Sequence, residues 1–239
     1  MVFLELLKFG LPLPLVFDVL VQRKGSLFVD WDQKLFHAMK MEHFKTLVST
    51  STFRFNSDKS FYDPLEKISA ATAMPEYSDI EAKSFDDEFA DELFFCHCWY
   101  STESHQSSMF HANDSTPKQI IIQTTFRALF DSVLSEEVSA GIVSYRNLVE
   151  FNRSSLPLFQ QKFIKHESWR NEEEFRLVIS RRKKPLDNPD FLPVKVDLKN
   201  LIREVILRHS ERASLEALKR SVRDISDEIK VSLSDGVQT

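Results

Sequence analysis

The chain has 239 residues, 42% hydrophobic and 28% charged, with a formal net charge of −5, which fits one large domain or one domain with appendages. Only four glycines stand against 21 phenylalanines, and no G-x-G-x-x-G or Walker-type run occurs. That composition argues against a phosphate-cradling loop and for a Phe-rich core, each ring removing roughly 150–250 Å² from water.

The N-terminal stretch from Val2 to Val21 is apolar but contains Glu5, Lys8 and Asp18, is broken by Pro12 and Pro14, and lacks a basic leader. It reads as a packing arm over residues 1–32, and as neither a signal peptide nor a membrane span. A single domain is expected over 33–239. It opens with a short strand, Lys34–Met39, then a helix over Glu42–Ser49 with Phe44, Leu47 and Val48 at helical spacing. Thr52–Phe55 is a second strand, Asn56–Ser60 a turn, and Tyr62-Asp63-Pro64 a helix entry, since proline is tolerated at a first helical position. Ser78–Asp91 is acidic and helical, a solvated face whose spacing matches no metal loop.

Leu93–Tyr100 is a buried strand, Thr102–His111 a polar connection, and Gln119–Thr125 a strand around Ile120, Ile121 and Ile122, with a helix continuing to about Leu134. Gly141–Tyr145 is a short strand and Leu156–Trp169 mostly helical. The next strand, Glu173–Ile179, ends in a basic loop, Arg181–Lys184 with Pro185, Asn188 and Pro189. Val194–Val196 and Ile202–Leu207 are strands, Ser210–Ser221 a helix capped by Ser210, and Ile229–Leu233 the closing strand. The expected fold class is α+β, a mixed central sheet with flanking helices.

The stretch Ser168–Ile179 is the most informative, because three consecutive carboxylates run straight into a β-branched strand signal. Strand alternation places Glu172, Glu174 and Arg176 on one face and Phe175 and Leu177 on the other. Such a polar row suits a site wall. Glu174, between Trp169 and Phe175, is expected to be half-buried, and a half-buried carboxylate is a site candidate as much as a surface ion-pair partner.

Other constellations read as structural. Cys96-His97-Cys98, with His105 and His111 nearby, invites a zinc reading, but no second cysteine pair exists and alternation turns His97 away from both thiols. No metal is expected. Cys98 as a nucleophile lacks a thiolate-favouring setting inside a core strand. With no other cysteine, a disulfide framework is implausible and a reducing cytoplasm is the natural compartment. The basic loop reads as a solvated strand end, and the acidic overall balance disfavours a nucleic-acid binder. His37, between Phe36 and Ala38, is either a hydrogen-bonded structural residue or a ligand contact.

Taken in order, Leu35-Phe36-His37-Ala38-Met39, Phe53-Arg54-Phe55, Asp63-Pro64-Leu65-Glu66, Cys98-Trp99, Met109-Phe110, Ile122-Gln123-Thr124-Thr125, Gly141–Tyr145, Lys162-Phe163 and Trp169–Arg176 form a pattern. Over about residues 31–231 it resembles the bacterial family labelled domain of unknown function 2971. The Asp-Pro-x-Glu turn and the Trp-x-x-Glu-x-Glu-Phe-Arg run are the most specific parts. The chain departs from the family's first-strand Arg-Tyr or His-Tyr, reading His37-Ala38. It departs also from the middle motif Glu-Ser-x-x-Met-Trp-x-x-Tyr, where His105, Gln106, Met109, Phe110 and Asn113 stand.

The layout is similar in outline to ADP-ribosyltransferases that modify DNA or RNA, an analogy of topology and two residue types. That resemblance implies NAD as a substrate and a nucleic acid or protein as acceptor. It also implies Glu174 as the catalytic carboxylate supported by Glu172, and His37, Arg176, Asp63, Glu66 and Trp99 as NAD contacts. The departures imply the alternative: a non-enzymatic interaction module with a degenerate pocket, acting in phage defence or stress response.

Overall fold

The computed structural model describes residues 30–57, 92–101, 119–133, 138–147, 161–182 and 189–234. Outside them lie the N-terminal arm up to residue 29, the Tyr62-Asp63-Pro64 entry with Glu66, the acidic stretch 78–91 and the connection 102–111. In chain order the elements are β1 (Lys34–Lys40), α1 (Met41–Thr50), β2 (Thr52–Ser57), β3 (Glu92–Tyr100), β4 (Gln119–Thr125), α2 (Phe126–Ser132), β5 (Ser139–Ile142), β6 (Ser144–Arg146), β7 (Ile164–His166), β8 (Glu174–Arg182), β9 (Phe191–Lys195), α3 (Leu198–Leu201), β10 (Glu204–Leu207), α4 (Leu215–Arg223) and β11 (Lys230–Leu233). Two 3₁₀ helices, Glu167–Glu172 and His209–Ser214, precede β8 and α4. Among the described residues, strands of mixed direction with short helices make the fold α+β. Among the described residues no helix is long and apolar enough to cross a membrane.

These residues divide into two units, one drawing on 54–98 and 136–192, the other on 30–53, 99–135 and 193–234. The second unit is built around β4. Its Ile120, Ile121 and Ile122 are fully buried, the continuous apolar run of a strand covered on both faces. β4 pairs antiparallel with β1, Ala38 opposite Ile121, and antiparallel with β10, Ile206 opposite Ile121. β11 extends the sheet in parallel beyond β10, and β1 meets the end of β3 where Phe36 lies opposite Tyr100. Opposed residues share a face, so Phe36, Ile121 and Ile206 pack as one cluster with Ala38 against it.

The helices of this unit begin and end on local chemistry. The Thr125 hydroxyl accepts the Ala128 N–H at 3.2 Å and starts α2. Asp197 does the same for the unforeseen α3, accepting from the N–H groups of Lys199 and Asn200 at 3.1 and 3.3 Å. Trp31 stands edge-on to Phe126 with ring centroids 5.1 Å apart. The capping role expected of Ser210 is not found: Ser210 lies inside a 3₁₀ helix, and α4 begins only at Leu215, where Leu218 and Val222 turn inward. The apolar stripe, not the first polar residue upstream, decides where the α-helix starts.

In the first unit β3 pairs with β8, and β8 pairs antiparallel with β5, from Ser139 opposite Val178 to Ile142 opposite Phe175. Asn56 and Ser57 continue β2 against Cys96 and Phe95 of β3 and form no turn. The single strand expected over Gly141–Tyr145 is two. The Val143 N–H donates to Glu174 O at 2.8 Å, whereas the next N–H, that of Ser144, donates to Phe163 O at 2.7 Å. The chain changes partner at that step, and β6 then runs parallel to β7. This pairing overrides the helical reading at residues 164–166, where Ile164 is buried on β7 with Phe163 just before it, whereas residues 167–169 do turn helically, in the first 3₁₀ helix. Arg181 and Arg182 belong to β8 and not to a loop.

Candidate functional site

Among the candidate residues, Glu172, Glu174 and Arg176 lie in the first unit, and His37 and Trp99 in the second. Asp63 and Glu66 lie outside the described residues. In the second unit the His37 ring stands 5.2 Å from the Trp99 ring, centroid to centroid, and Phe53 meets Trp99 edge-on at 5.8 Å. Trp99 is fully buried, His37 partly.

The expected strand placement of Glu172 is corrected by the structure. Glu172 ends the 3₁₀ helix, Glu173 takes a left-handed conformation with φ 43°, and β8 starts at Glu174. For a residue with a Cβ that conformation costs about 1–2 kcal/mol. Its effect is to break the alternation between Glu172 and Glu174. The two carboxylates nevertheless meet through Lys165, whose Nζ donates to Glu172 Oε2 at 2.6 Å and to Glu174 Oε2 at 3.1 Å.

Glu174 is buried to 1% exposure, not half-buried, and lies two residues from an equally buried Arg176. The guanidinium grips the carboxylate at both oxygens, Nε to Oε1 at 2.7 Å and Nη2 to Oε2 at 3.1 Å. Its third nitrogen, Nη1, donates to Lys162 O at 2.6 Å. Paired and hydrogen-bonded in this way, the two charges can stand inside the protein. The Glu174 N–H donates to the Tyr145 hydroxyl at 2.8 Å. Gly141 lies opposite Arg176 on β5, and a Cβ there would come within 2.9 Å of the Phe163 ring. Phe163 can therefore close over β5 beside the cluster only because residue 141 has no side chain.

Burial by itself would raise the Glu174 carboxyl. The charge and hydrogen bonds of Arg176, and then the charge of Lys165, outweigh it and hold the group down at about 2. Cys98, partly exposed on β3, donates its thiol hydrogen to this carboxylate. Burial and the Glu174 charge push that thiol well above its ordinary range, so it stays protonated, the opposite of an activated nucleophile. Burial likewise pushes the Tyr145 phenol up, leaving it a neutral hydrogen-bond partner. Two carboxylates, Glu172 and Glu174, thus balance two cations, Lys165 and Arg176. Trp169, 43% exposed, places its ring 5.1 Å from Lys165 Nζ.

Lys165 and Tyr145 are the members of this cluster that sequence reasoning did not single out; Cys98 was weighed as a zinc ligand and a nucleophile, not as a hydrogen-bond donor to Glu174. Lys165 fell on a segment read as helix, and seven- and nine-residue separations from its two acids form no local signature. Gly141 carried a usable signal: an isolated glycine in a strand marks a close approach. Among the described residues no group of three or more His, Cys, Asp or Glu side chains is placed to hold a metal ion.

No family model matches the chain, and no curated protein matches it. Two solved structures of DarT from Thermus sp. 2.9 align with it. The complex with NAD+ aligns with a TM-score of 0.38 and 9% identity, covering 86% of this chain and 97% of that one. The complex with carba-NAD+ aligns with a TM-score of 0.34 and 11% identity over the same shares. Likeness at that level leaves the family and ADP-ribosyltransferase resemblances resting on the residues quoted for them.

Proposed function

We propose that the protein transfers ADP-ribose from NAD to a nucleic-acid or protein acceptor, with Glu174 as the catalytic carboxylate. One observation carries this reading: the Glu174 carboxylate is fixed inside the first unit by Arg176 at both oxygens, on a backbone whose N–H donates to the Tyr145 hydroxyl, and Arg176 holds it in the ionised form. In such a transfer the bond between ribose C1′ and the nicotinamide nitrogen breaks, and its electron pair leaves with nicotinamide. Positive charge develops at C1′, where a fixed anion in a water-poor setting stabilises the transition state without reorganising. The acceptor then bonds to C1′ and gives up a proton. Arg176 is the positioning residue that keeps Glu174 ionised and immobile, and Glu172 supports the site through Lys165.

A second reading, a non-enzymatic interaction module, is favoured by a different observation. Both oxygens of Glu174 already meet cations, as in a purely structural ion pair. Incubating the protein with labelled NAD and candidate nucleic acids or proteins separates the two. Transfer that drops at least a hundredfold in both Glu174→Gln and the charge-balanced pair Glu174→Gln with Arg176→Met supports the transferase. Transfer that survives Glu174→Gln unchanged removes the assignment, and no transfer by the unaltered protein leaves the interaction module.

A further inference from the structure

Two cations share Glu174, and they are not equivalent. Arg176 is 2% exposed, binds both carboxylate oxygens, and is tied by its third nitrogen to the Lys162 carbonyl. Withdrawing it would strand a buried anion and break three hydrogen bonds. Lys165 is 12% exposed and touches Glu174 through Oε2 alone, at 3.1 Å. Its shorter bond, 2.6 Å, goes to Glu172, which is itself 23% exposed. The Trp169 ring offers the ammonium a further face at 5.1 Å. Lys165 can therefore give up Glu174 without losing an anionic partner.

We propose that Lys165 is a displaceable counter-cation. It occupies Glu174 Oε2 in the free protein and withdraws onto Glu172 and Trp169 when a cationic group of the substrate takes that oxygen. The identity of that group, the positively charged nicotinamide riboside end of NAD, rests on the transferase reading above. Displacement itself rests only on the unequal seating of the two cations. Glu172 then acts as a positioning residue, the second seat that makes withdrawal possible.

The test uses the full chain and two readouts. NAD affinity is measured by calorimetry for the unaltered protein, Lys165→Met, Glu172→Gln and the double variant. Lys165→Met is expected to tighten binding on the order of fivefold, the scale of a partly exposed ion pair that no longer has to be broken. Glu172→Gln is expected to weaken it by a similar factor, because Lys165 is left with Glu174. The double variant should match Lys165→Met alone; residues in contact are non-additive in any case, and what a merely structural pair does not give is the opposite sign of the two single effects. Weaker binding by Lys165→Met, or an additive cycle, overturns the proposal.

Thermal melts without NAD supply the second readout. Lys165→Met should lower Tm by less than half the drop caused by Arg176→Met, and equal drops overturn the proposal by showing that Lys165 is as fixed as Arg176. Should the unaltered protein bind no NAD, the transferase reading falls and these melts alone decide whether Lys165 is displaceable.

Discussion

β4 in the second unit and β8 in the first are both strands buried on two faces, yet they are built on opposite principles. β4 fills its interior positions with Ile120, Ile121 and Ile122, and its neighbours answer with Phe36 and Ile206. Burial of apolar surface accounts for it, at roughly 25 cal/mol per Å² removed from water. β8 puts Glu174 and Arg176 among Phe175, Leu177, Val178 and Ile179, at the same depth. Charges so placed bring a desolvation penalty of several kcal/mol per ion that apolar packing does not offset. Only a complete set of partners does, and the structure supplies it: Lys165, the Lys162 carbonyl and the Cys98 thiol. A fold needing only a core would be served by β4 twice. The extra machinery around β8 is what marks that strand as the functional candidate.

The largest expected effect breaks this contrast at its polar end. Arg176→Met leaves Glu174 buried with only part of its counter-charge, and should destabilise the protein by about 3–5 kcal/mol. Chemical denaturation across pH makes the assignment specific. The Glu174 carboxyl stands at about 2 in the folded protein against an ordinary 4.5. As acid is added the unfolded chain takes up the proton first. The stabilisation from this group is therefore fully present above about 4.5 and is lost as pH falls toward about 2. That acid-side loss should shrink in Arg176→Met, where the depressing charge is gone. An unchanged pH profile would show that Arg176 does not set the state of Glu174.

The same contrast explains what the sequence disclosed. β4 was legible to the residue because a continuous β-branched run has one comfortable environment, a strand covered on both sides. β1, α1 and β3 were legible for the same reason, their apolar spacing matching the faces they bury. Glu174 and Arg176 were legible as a pair, since a two-residue period holds along β8. Glu172 was not, because the break lies in the left-handed backbone of Glu173, and nothing about a third consecutive glutamate announces positive φ. Lys165 and the Val143 partner switch were hidden for a deeper reason. Both are settled by the pairing of β6 with β7, which ends the Val143 run and sets Lys165 opposite Tyr145, and which outvotes local periodicity over residues 139–169. Apolar burial leaves a periodic trace in sequence, whereas a polar network made across strands leaves scattered single residues.

A next-largest effect tests the steric side of the polar region. Gly141→Ala places a methyl where the Phe163 ring already stands, within 2.9 Å. Overpacking of this kind costs about 1–3 kcal/mol. The Phe163 carbonyl accepts from Ser144, and Gly141 faces Arg176 across the β5–β8 pair, so the displacement reaches the Glu174 cluster. The expected result in denaturant titration is a loss in that range, recovered in part by Phe163→Leu in the same protein. A loss unaffected by the second change would place the strain elsewhere.

The smallest effect anchors the comparison at its apolar end. Ile121→Val removes one methylene from a fully buried position opposite Ala38 and Ile206. The expected loss is about 1 kcal/mol, the transfer free energy of that group plus a small cavity. No ionisable group of the second unit's apolar cluster takes part, so the loss should be the same at pH 7 and at pH 3. Measured beside Arg176→Met, it separates the two ways of building a buried strand: one whose stability follows only area, and one whose stability follows the proton. An Ile121→Val loss that changes with pH would mean that the apolar core senses the ionic cluster, and the independence of the two strands would be gone.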